Sequence, residues 1–110
     1  MLNLTAKKCV PCEGGVPPIE GVELQKYLAE LKPGWTVVEG KKIQKDYKFK
    51  DFKAAMAFVN KVADLANAED HHPDIAISYS RVKIELWTHA IMGLSENDFI
   101  LAAKIDEIIK

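Results

Sequence analysis

The longest amphipathic pattern in the chain covers residues 52–70 and stops at two adjacent histidines and a proline. Its apolar residues recur at spacings of three and four, which predicts a helix with a broad core face made of Ala55, Phe58, Val59, Val62, Leu65 and Ala66. Asp51 stands where a carboxylate can cap the first turn. Because Pro73 disfavours a helical conformation of the residue before it, we expect the helix to stop near His71, with His72 extended. Packing of this helix therefore decides where both imidazoles stand.

Shorter patterns on either side of this helix predict the rest of the fold. A helical period covers residues 21–32, and residues 95–98 resemble a capping box that starts a final helix. Alternation of polar and apolar residues and short β-rich runs predict strands at 35–39, 43–49, 75–79 and 82–87. The order α-β-β-α-β-β-α predicts an α+β fold, with a four-stranded, mainly antiparallel sheet and helices packed on one face. We expect residues 21–110 to form a single domain after an irregular arm at residues 1–20.

The composition gives no reason to expect a nucleic acid or a membrane as a partner. The chain has 110 residues and a formal net charge of −1, so it lacks the positive charge that attracts either polyanion. The longest uninterrupted apolar run is residues 54–59, far short of the ~20 residues that a membrane helix needs. No basic and apolar signal segment opens the sequence. These features predict a cytoplasmic protein.

Cys9 and Cys12 lie in the arm at a C-x-x-C spacing that metal and redox sites use. A structural zinc site needs four ligands, and the chain has no second cysteine pair. A redox pair normally opens a helix, whereas this arm continues with Gly14, Gly15, Pro17 and Pro18. We therefore interpret the pair as part of a tethered arm without a metal.

The three histidines of the chain all fall between residues 67 and 98. Imidazole has an ordinary pKa of about 6.5, so this clustering indicates acid–base chemistry near neutral pH. His71 and His72 leave the backbone in different directions at a helix end, and we expect them to contact different parts of a ligand. His89 follows an apolar strand that a hairpin can bring back beside them. Taken singly, each histidine is more often a structural residue than a catalyst, so the argument depends on their spacing.

That spacing resembles the signature of the pterin-4a-carbinolamine dehydratases. The resemblance lies in this order of residues and gaps: His71-His72-Pro73, five residues, Tyr79, nine residues, His89, eight residues, Asp98. It continues through residues 87–89 and 93–99, more loosely back to 49–52, and covers residues 20 to 108 approximately. One position departs, because Asn67 stands four places before the first histidine, where the family usually has an acidic residue.

The resemblance implies a reaction and a set of site residues. Members of the family dehydrate 4a-hydroxytetrahydropterin to quinonoid dihydropterin in tetrahydrobiopterin recycling, a reaction that needs proton transfer but no metal or redox cofactor. By resemblance, His71 and His89 transfer the protons, and His72 chiefly binds and orients the pterin. The residues implied to bind the substrate are Asn67, Glu69, Asp70, Pro73, Tyr79, Trp87 and Thr88. The family also implies a homodimer or homotetramer.

Helix geometry adds an expectation about Asn67. Residue i−4 shares a helix face with residue i, which places Asn67 beside His71 in a position that lacks the usual carboxylate. Glu69 and Asp70 lie about 200° and 100° around a helix from His71, so neither replaces that carboxylate while the turn stays helical. Asp98 falls in the first turn of the final helix, where an acid interacts favourably with the helix dipole, and we interpret it chiefly as structural.

Two other classes of function fit the same sequence. A non-catalytic pterin-binding or dimerisation protein of this fold would keep the pocket, since the animal member of the family also acts as a dimerisation cofactor of a transcription factor. His71, His72 and His89 could alternatively supply the ligands of a catalytic zinc site. Trp87 and Tyr79 are more simply explained as strand and core aromatics than as pterin contacts. Measurements of turnover and of bound metal separate these interpretations.

Overall fold

The computed structural model describes residues 3–9 and 17–108, and its elements follow the predicted order. The helices are α1 Gly21–Leu28, α2 Phe52–Glu69 and α3 Glu96–Ile108. The strands are β1 Thr36–Val38, β2 Lys42–Lys48, β3 Asp74–Ser78 and β4 Arg81–Leu86. Short 3-10 helices lie at Leu4–Ala6 and His89–Ile91. The four strands form one sheet in the order β1-β2-β4-β3, and every neighbouring pair is antiparallel, which confirms the predicted α+β architecture.

The core lies between one face of the sheet and the two long helices. Ile43, Val82, Ile84 and Leu86 are buried on that face, as the alternation along β2 and β4 predicts. Phe58 of α2 packs on the same face, and the core residues of α3 include Phe99, Leu101 and Ile105. The opposite face carries charged side chains and is largely open to solvent. Over the described residues, no helix is both long and apolar enough to span a bilayer.

All four strands end within one residue of their predicted bounds, whereas the first helix is shorter than predicted. The first helix stops at Leu28 because the next amides bond three residues back, from Glu30 to Tyr27 and from Leu31 to Leu28, which tightens the chain into turns. Strand β4 stops at Leu86, short of His89. The chain then turns through a single bridge between residues 88 and 93, so the strand alternation does not extend to His89.

Residues 3–9 pack against the domain, although they form no regular element beyond one turn. Leu4 and Cys9 are buried, and Ile19 donates its backbone N–H to the carbonyl of Leu94 at 2.8 Å. Burial and the nearby carboxylate of Glu69 raise the pKa of the Cys9 thiol to about 12, the opposite of the lowered pKa that a reactive thiol needs. Cys12 lies outside the described residues, so the interpretation of the C-x-x-C pair stays a prediction.

Candidate functional site

A cleft of about 390 Å³ opens where α2 ends, β3 begins and β4 ends. Two segments line it, residues 70–74 and residues 87–90. The first follows the long helix, and the second follows the central strand β4, so both are carried by rigid elements. The cleft brings together seven of the residues that the resemblance implies, namely Asp70, His71, His72, Pro73, Trp87, Thr88 and His89.

The end of α2 turns its last side chains in different directions. Asp70 caps the helix in the left-handed conformation, with φ 53°, and its amide bonds to the carbonyl of Ala66. The amide of His71 reaches the same carbonyl at 3.3 Å, after which the chain enters β3. Because Asp70 breaks the helical path, the angles of an uninterrupted helix no longer apply to His71 and His72.

His71 is held by the buried carboxylate of Asp98. Its Nε2 lies 2.6 Å from Asp98 Oδ1, and Asp98 is fully buried. The other oxygen of Asp98 accepts hydrogen bonds from Thr88 Oγ1 and from the amide of Ser95, both at 2.9 Å. The hydroxyls of Thr88 and Ser95 are 2.7 Å apart. Asp98 therefore both caps α3, as predicted, and fixes the imidazole of His71.

These contacts assign the protons around Asp98. A carboxylate only accepts, so Thr88 donates its hydroxyl to Asp98, Ser95 donates its hydroxyl to Thr88, and His71 donates from Nε2. In the neutral imidazole the remaining nitrogen, Nδ1, then carries a lone pair. This Nδ1 has no hydrogen-bond partner within the described part of the chain. The contact with Asp98 thus orients the imidazole of His71 in the wall of the cleft.

Asn67 contacts His72 rather than His71, so the expected pairing of Asn67 with His71 is wrong. Its Oδ1 lies 3.1 Å from His72 Nε2. The physical reason is the left-handed turn at Asp70, which sends His71 towards α3 and returns His72 to the last turn of α2. His71 does have a carboxylate partner, but Asp98 supplies it from a distant helix.

His89 and Trp87 form the opposite wall of the cleft. Their rings pack with centroids 3.9 Å apart. The indole N–H of Trp87 donates to Asp74 Oδ2 at 3.0 Å, and the ammonium of Lys42 lies 5.0 Å from the centroid of the Trp87 ring. Trp87 is therefore fixed by contacts on its edge and faces, and it positions His89.

Three residues that the resemblance implies do not line the cleft, namely Asn67, whose contact is described above, Glu69 and Tyr79. The carboxylate of Glu69 bonds to Lys104 Nζ at 2.8 Å and to the amide of Cys9 at 2.9 Å. Burial acts to raise the pKa of Glu69, but these hydrogen bonds outweigh it and hold the pKa below its usual value. Tyr79 lies in the turn between β3 and β4 with φ 50°, at the end of β3 away from the cleft, and its side chain is 67% exposed.

Asp74 lines the cleft, although no sequence pattern predicted it. Asp98 and Ser95 do not line the cleft, but they bond to His71 and Thr88, which do. The signal for Asp98 was present in the spacing, but its position in the first turn of a helix offered a sufficient structural explanation. Asp74 follows Pro73 at the start of a strand, and alternation alone does not reveal that its carboxylate meets Trp87.

The three imidazoles do not converge on one point. Nε2 of His71 is taken by Asp98, Nε2 of His72 by Asn67, and the ring of His89 packs on Trp87. Within residues 3–9 and 17–108, no three histidine, cysteine or acidic side chains are grouped so that they could hold a metal ion. The geometry therefore gives no support to the three-histidine zinc site.

The fold and the cleft together define a small α+β domain with a histidine-lined cleft at one end of its sheet. Residues 17–108 match the model of the family described as pterin 4 alpha carbinolamine dehydratase. The chain belongs to this family, as the spacing of the histidines predicted.

Known relatives extend the match over nearly the whole chain. A Rickettsia bellii protein, provisionally named pterin-4-alpha-carbinolamine dehydratase, is 55% identical over 94% of this chain and 92% of its own length. A Nitrosomonas europaea protein with the same provisional name is 50% identical over 98% of this chain and 95% of its own length. The crystal structure of a transcriptional coactivator/pterin dehydratase from Brucella melitensis is similar, with a TM-score of 0.79 and 35% identity over 84% of this chain and 99% of that one.

Proposed function

We propose that the protein catalyses the dehydration of 4a-hydroxytetrahydropterin to quinonoid dihydropterin, in the recycling of tetrahydrobiopterin. The observation that carries this proposal is the imidazole of His71, which a fully buried carboxylate orients in the wall of a cleft that His72 and His89 share. Membership of the family supports the substrate class. The geometry supports proton transfer, because a positioned imidazole serves as either acid or base.

The reaction needs one proton removed and one supplied. We assign the removal to Nδ1 of His71, which takes a proton from a ring nitrogen of the pterin. The electron pair of that N–H bond forms the new carbon–nitrogen double bond, and the bond between C4a and the hydroxyl oxygen breaks. His89, whose side chain is exposed, protonates the leaving hydroxyl, which departs as water. Asp98 stabilises the imidazolium that forms on His71.

Binding is assigned to the acidic and aromatic side of the cleft. Asp70 and Asp74 are the two carboxylates that line it. The pyrimidine ring of a pterin presents an amino group beside a ring N–H, and a carboxylate accepts two such donors at once. His72, which is exposed and bonded to Asn67, is placed to orient the pterin. We thus assign proton transfer to His71 and His89, and substrate binding to Asp70, His72 and Asp74.

The proposed reaction uses no metal or redox cofactor, because no electrons leave the substrate. Dehydration of synthetic 4a-carbinolamine, measured with and without a chelator, tests both statements. We expect equal rates in the two conditions. His71→Ala and His89→Ala are each expected to lower kcat by roughly 10²–10⁴-fold, as loss of an acid–base group does. Wild-type turnover by the double variant would exclude the proposed chemistry, and turnover abolished by the chelator would indicate a metal enzyme instead.

We also propose that the protein works as a homodimer or homotetramer. Strands β1 and β3 are the edges of the sheet, and β3 exposes Ile77, with 41% of its surface accessible. An unprotected edge with an apolar side chain favours pairing with another strand. Light scattering at micromolar concentration is expected to give at least twice the monomer mass, and Ile77→Lys is expected to lower it. A monomer mass for the wild type would contradict the assembly without affecting the proposed chemistry.

A further inference from the structure

Residues 3–9 lie along α3 and reach the end of α2. Near the start of this segment, Leu4 is buried and shares the lining of a shallow cavity with Ala103, in the second half of α3. At its other end, Lys7 Nζ contacts Glu96 Oε2 at 2.9 Å, in the first turn of α3. The amide of Cys9 donates to Glu69 Oε1 at 2.9 Å. The segment therefore bridges the start of α3 and the end of α2, and we call residues 3–9 the strap.

Glu69 is the point where three parts of the chain meet. One oxygen of its carboxylate accepts from the strap at Cys9, and the other accepts from Lys104 of α3 at 2.8 Å. Both charged side chains are well covered, with 9% of Glu69 and 18% of Lys104 accessible to solvent. A charged hydrogen bond that is shielded in this way is stronger and more directional than an exposed one. The contact of Lys7 with Glu96 is about 40% exposed on each side, so we expect it to contribute much less.

The two glutamates that the strap contacts lie close in sequence to His71 and to Asp98. Glu69 precedes His71 by two residues, and Glu96 precedes Asp98 by two residues. The helices α2 and α3 otherwise meet largely through apolar side chains, whose attraction is not directional and leaves small shifts inexpensive. The carboxylate of Glu69 removes that freedom, because it ties the last residue of α2 to α3 and to the strap at fixed distances. The separation of His71 and Asp98 depends on the same two helix ends.

We propose that the strap and Glu69 position the site: they hold the ends of α2 and α3 in register and so maintain the hydrogen bond between His71 and Asp98. Glu69 is thus a positioning residue that acts through His71 without contacting the substrate. The strap precedes the segment that matches the family model, whereas Glu69 and Lys104 lie within it. The kinetic part of the test rests on the proposed dehydration, whereas the spectroscopic part does not.

The test compares Glu69→Ala with Glu69→Gln and with a control at another ion pair. The glutamine keeps an oxygen for the amide of Cys9, and the alanine removes every contact. The control is Lys45→Ala, because Lys45 Nζ bonds to the buried Asp106 at 3.1 Å, farther along α3 from the site. It breaks a comparably covered ion pair without touching the strap. Each variant is measured for kcat and KM, for its melting temperature, and for the NMR signal of the His71 Nε2 proton, identified by its absence in His71→Ala.

We expect Glu69→Ala to lower kcat by about 10-fold to 100-fold with little change in KM, because a small displacement of a catalytic group has effects of this size. The downfield signal of the His71 proton should broaden or disappear. Glu69→Gln should recover part of both, and Cys9→Ser, which keeps the backbone amide, should resemble the wild type. Lys45→Ala should lower the melting temperature by a similar amount and leave the signal and kcat unchanged.

Two outcomes overturn the proposal. If Glu69→Ala keeps the His71 signal and loses only melting temperature, as Lys45→Ala does, Glu69 serves stability alone. If Lys45→Ala loses the signal as well, the bond between His71 and Asp98 reflects global stability rather than the strap. A wild type that does not dehydrate the carbinolamine would refute the proposed function instead, and the NMR comparison would still decide the role of the strap.

Discussion

The imidazole of His71 and the carboxylate of Asp98 lie 2.6 Å apart although 27 positions separate them in the chain. The first residue follows the end of α2, and the second lies in the first turn of α3. Asp98 is also bonded to Thr88, so the same carboxylate joins three segments that follow one another through the second half of the chain. For the base that we propose, this arrangement reduces the reorganisation that accompanies protonation, which is the advantage of a preorganised site.

Asp98→Asn tests the charge of this partner. Asparagine keeps an oxygen for the amide of Ser95 but loses the negative charge that stabilises an imidazolium, and it allows the wrong tautomer of His71. We expect kcat to fall by roughly 10²-fold or more, as in other imidazole–carboxylate pairs. Ser95→Ala is the matched control, because it removes only a hydroxyl that contacts Thr88, and kcat should stay close to wild type. Equal turnover by Asp98→Asn and the wild type would remove Asp98 from the mechanism.

The contact between His72 and Asn67 predicts an effect on binding. His72→Ala is expected to raise KM with little loss of kcat, and Asn67→Ala should raise KM less. Because Asn67 acts through His72, the double variant should resemble His72→Ala alone, as non-additive pairs in contact do. Asn67→Glu, which introduces the family's usual acid, should maintain kcat. Steady-state kinetics of the wild type and the four variants test these expectations, and additive changes in KM in the double variant would show that the two residues act separately.

Asp74 is expected to affect substrate binding through two contacts. Its carboxylate lines the cleft and accepts the indole N–H of Trp87, on which His89 packs. Asp74→Asn keeps an acceptor for Trp87 but loses the charge offered to the pterin, so we expect KM to rise by about 10-fold, the cost of one charge-assisted hydrogen bond. Asp46→Asn, at an exposed carboxylate of β2 on the same face of the sheet, provides the control. A change in kcat without a change in KM would contradict the assignment.

The lowered pKa of Glu69 predicts how stability changes with pH. Burial raises the pKa of this carboxyl, but the hydrogen bonds from Lys104 and Cys9 lower it below the ordinary value of 4.5. The charged carboxylate therefore contributes stability above that ordinary value, and the contribution is lost as the pH falls through the lower, folded-state pKa. Glu69→Gln should melt at a lower temperature than the wild type at about pH 6, and the two melting curves should converge towards about pH 3. Parallel melting temperatures over this range would show that Glu69 does not titrate with folding.

The fold could be predicted because its signals are local. The period of α2, its cap at Asp51 and the alternation along β4 each depend on neighbouring residues, and the cap is observed as a 2.8 Å bond from the amide of Ala54. The end of the first helix was less predictable, since α1 stops at Leu28 through turns that the periodic pattern does not encode.

The three histidines that the sequence singled out line one cleft, but Asn67, Glu69 and Tyr79 do not, and the contacts within the cleft were not predicted. Spacing identified the histidines, yet the partner of His71 depends on how two distant helix ends meet, which no local period contains. Helix angles placed Asn67 beside His71 and failed, because Asp70 adopts a left-handed conformation that ordinarily favours glycine. Glu69 does not pair with His71 either, because its carboxylate bonds to Lys104 and to the amide of Cys9.

Because of the left-handed cap at Asp70, the number of residues at the end of α2 is as important for the site as their identity. Three consecutive residues make three different contacts. Glu69 bonds to the strap and to α3, Asp70 lines the cleft, and His71 bonds to the carboxylate of Asp98. One residue more or fewer in the last turn of α2 would rotate Glu69 and the residues after it by about 100° around the helix axis. The contact of Glu69 with the strap and the contact of His71 with Asp98 would then be lost together. An insertion or deletion at the end of α2 would therefore break more of these contacts at once than a single substitution there.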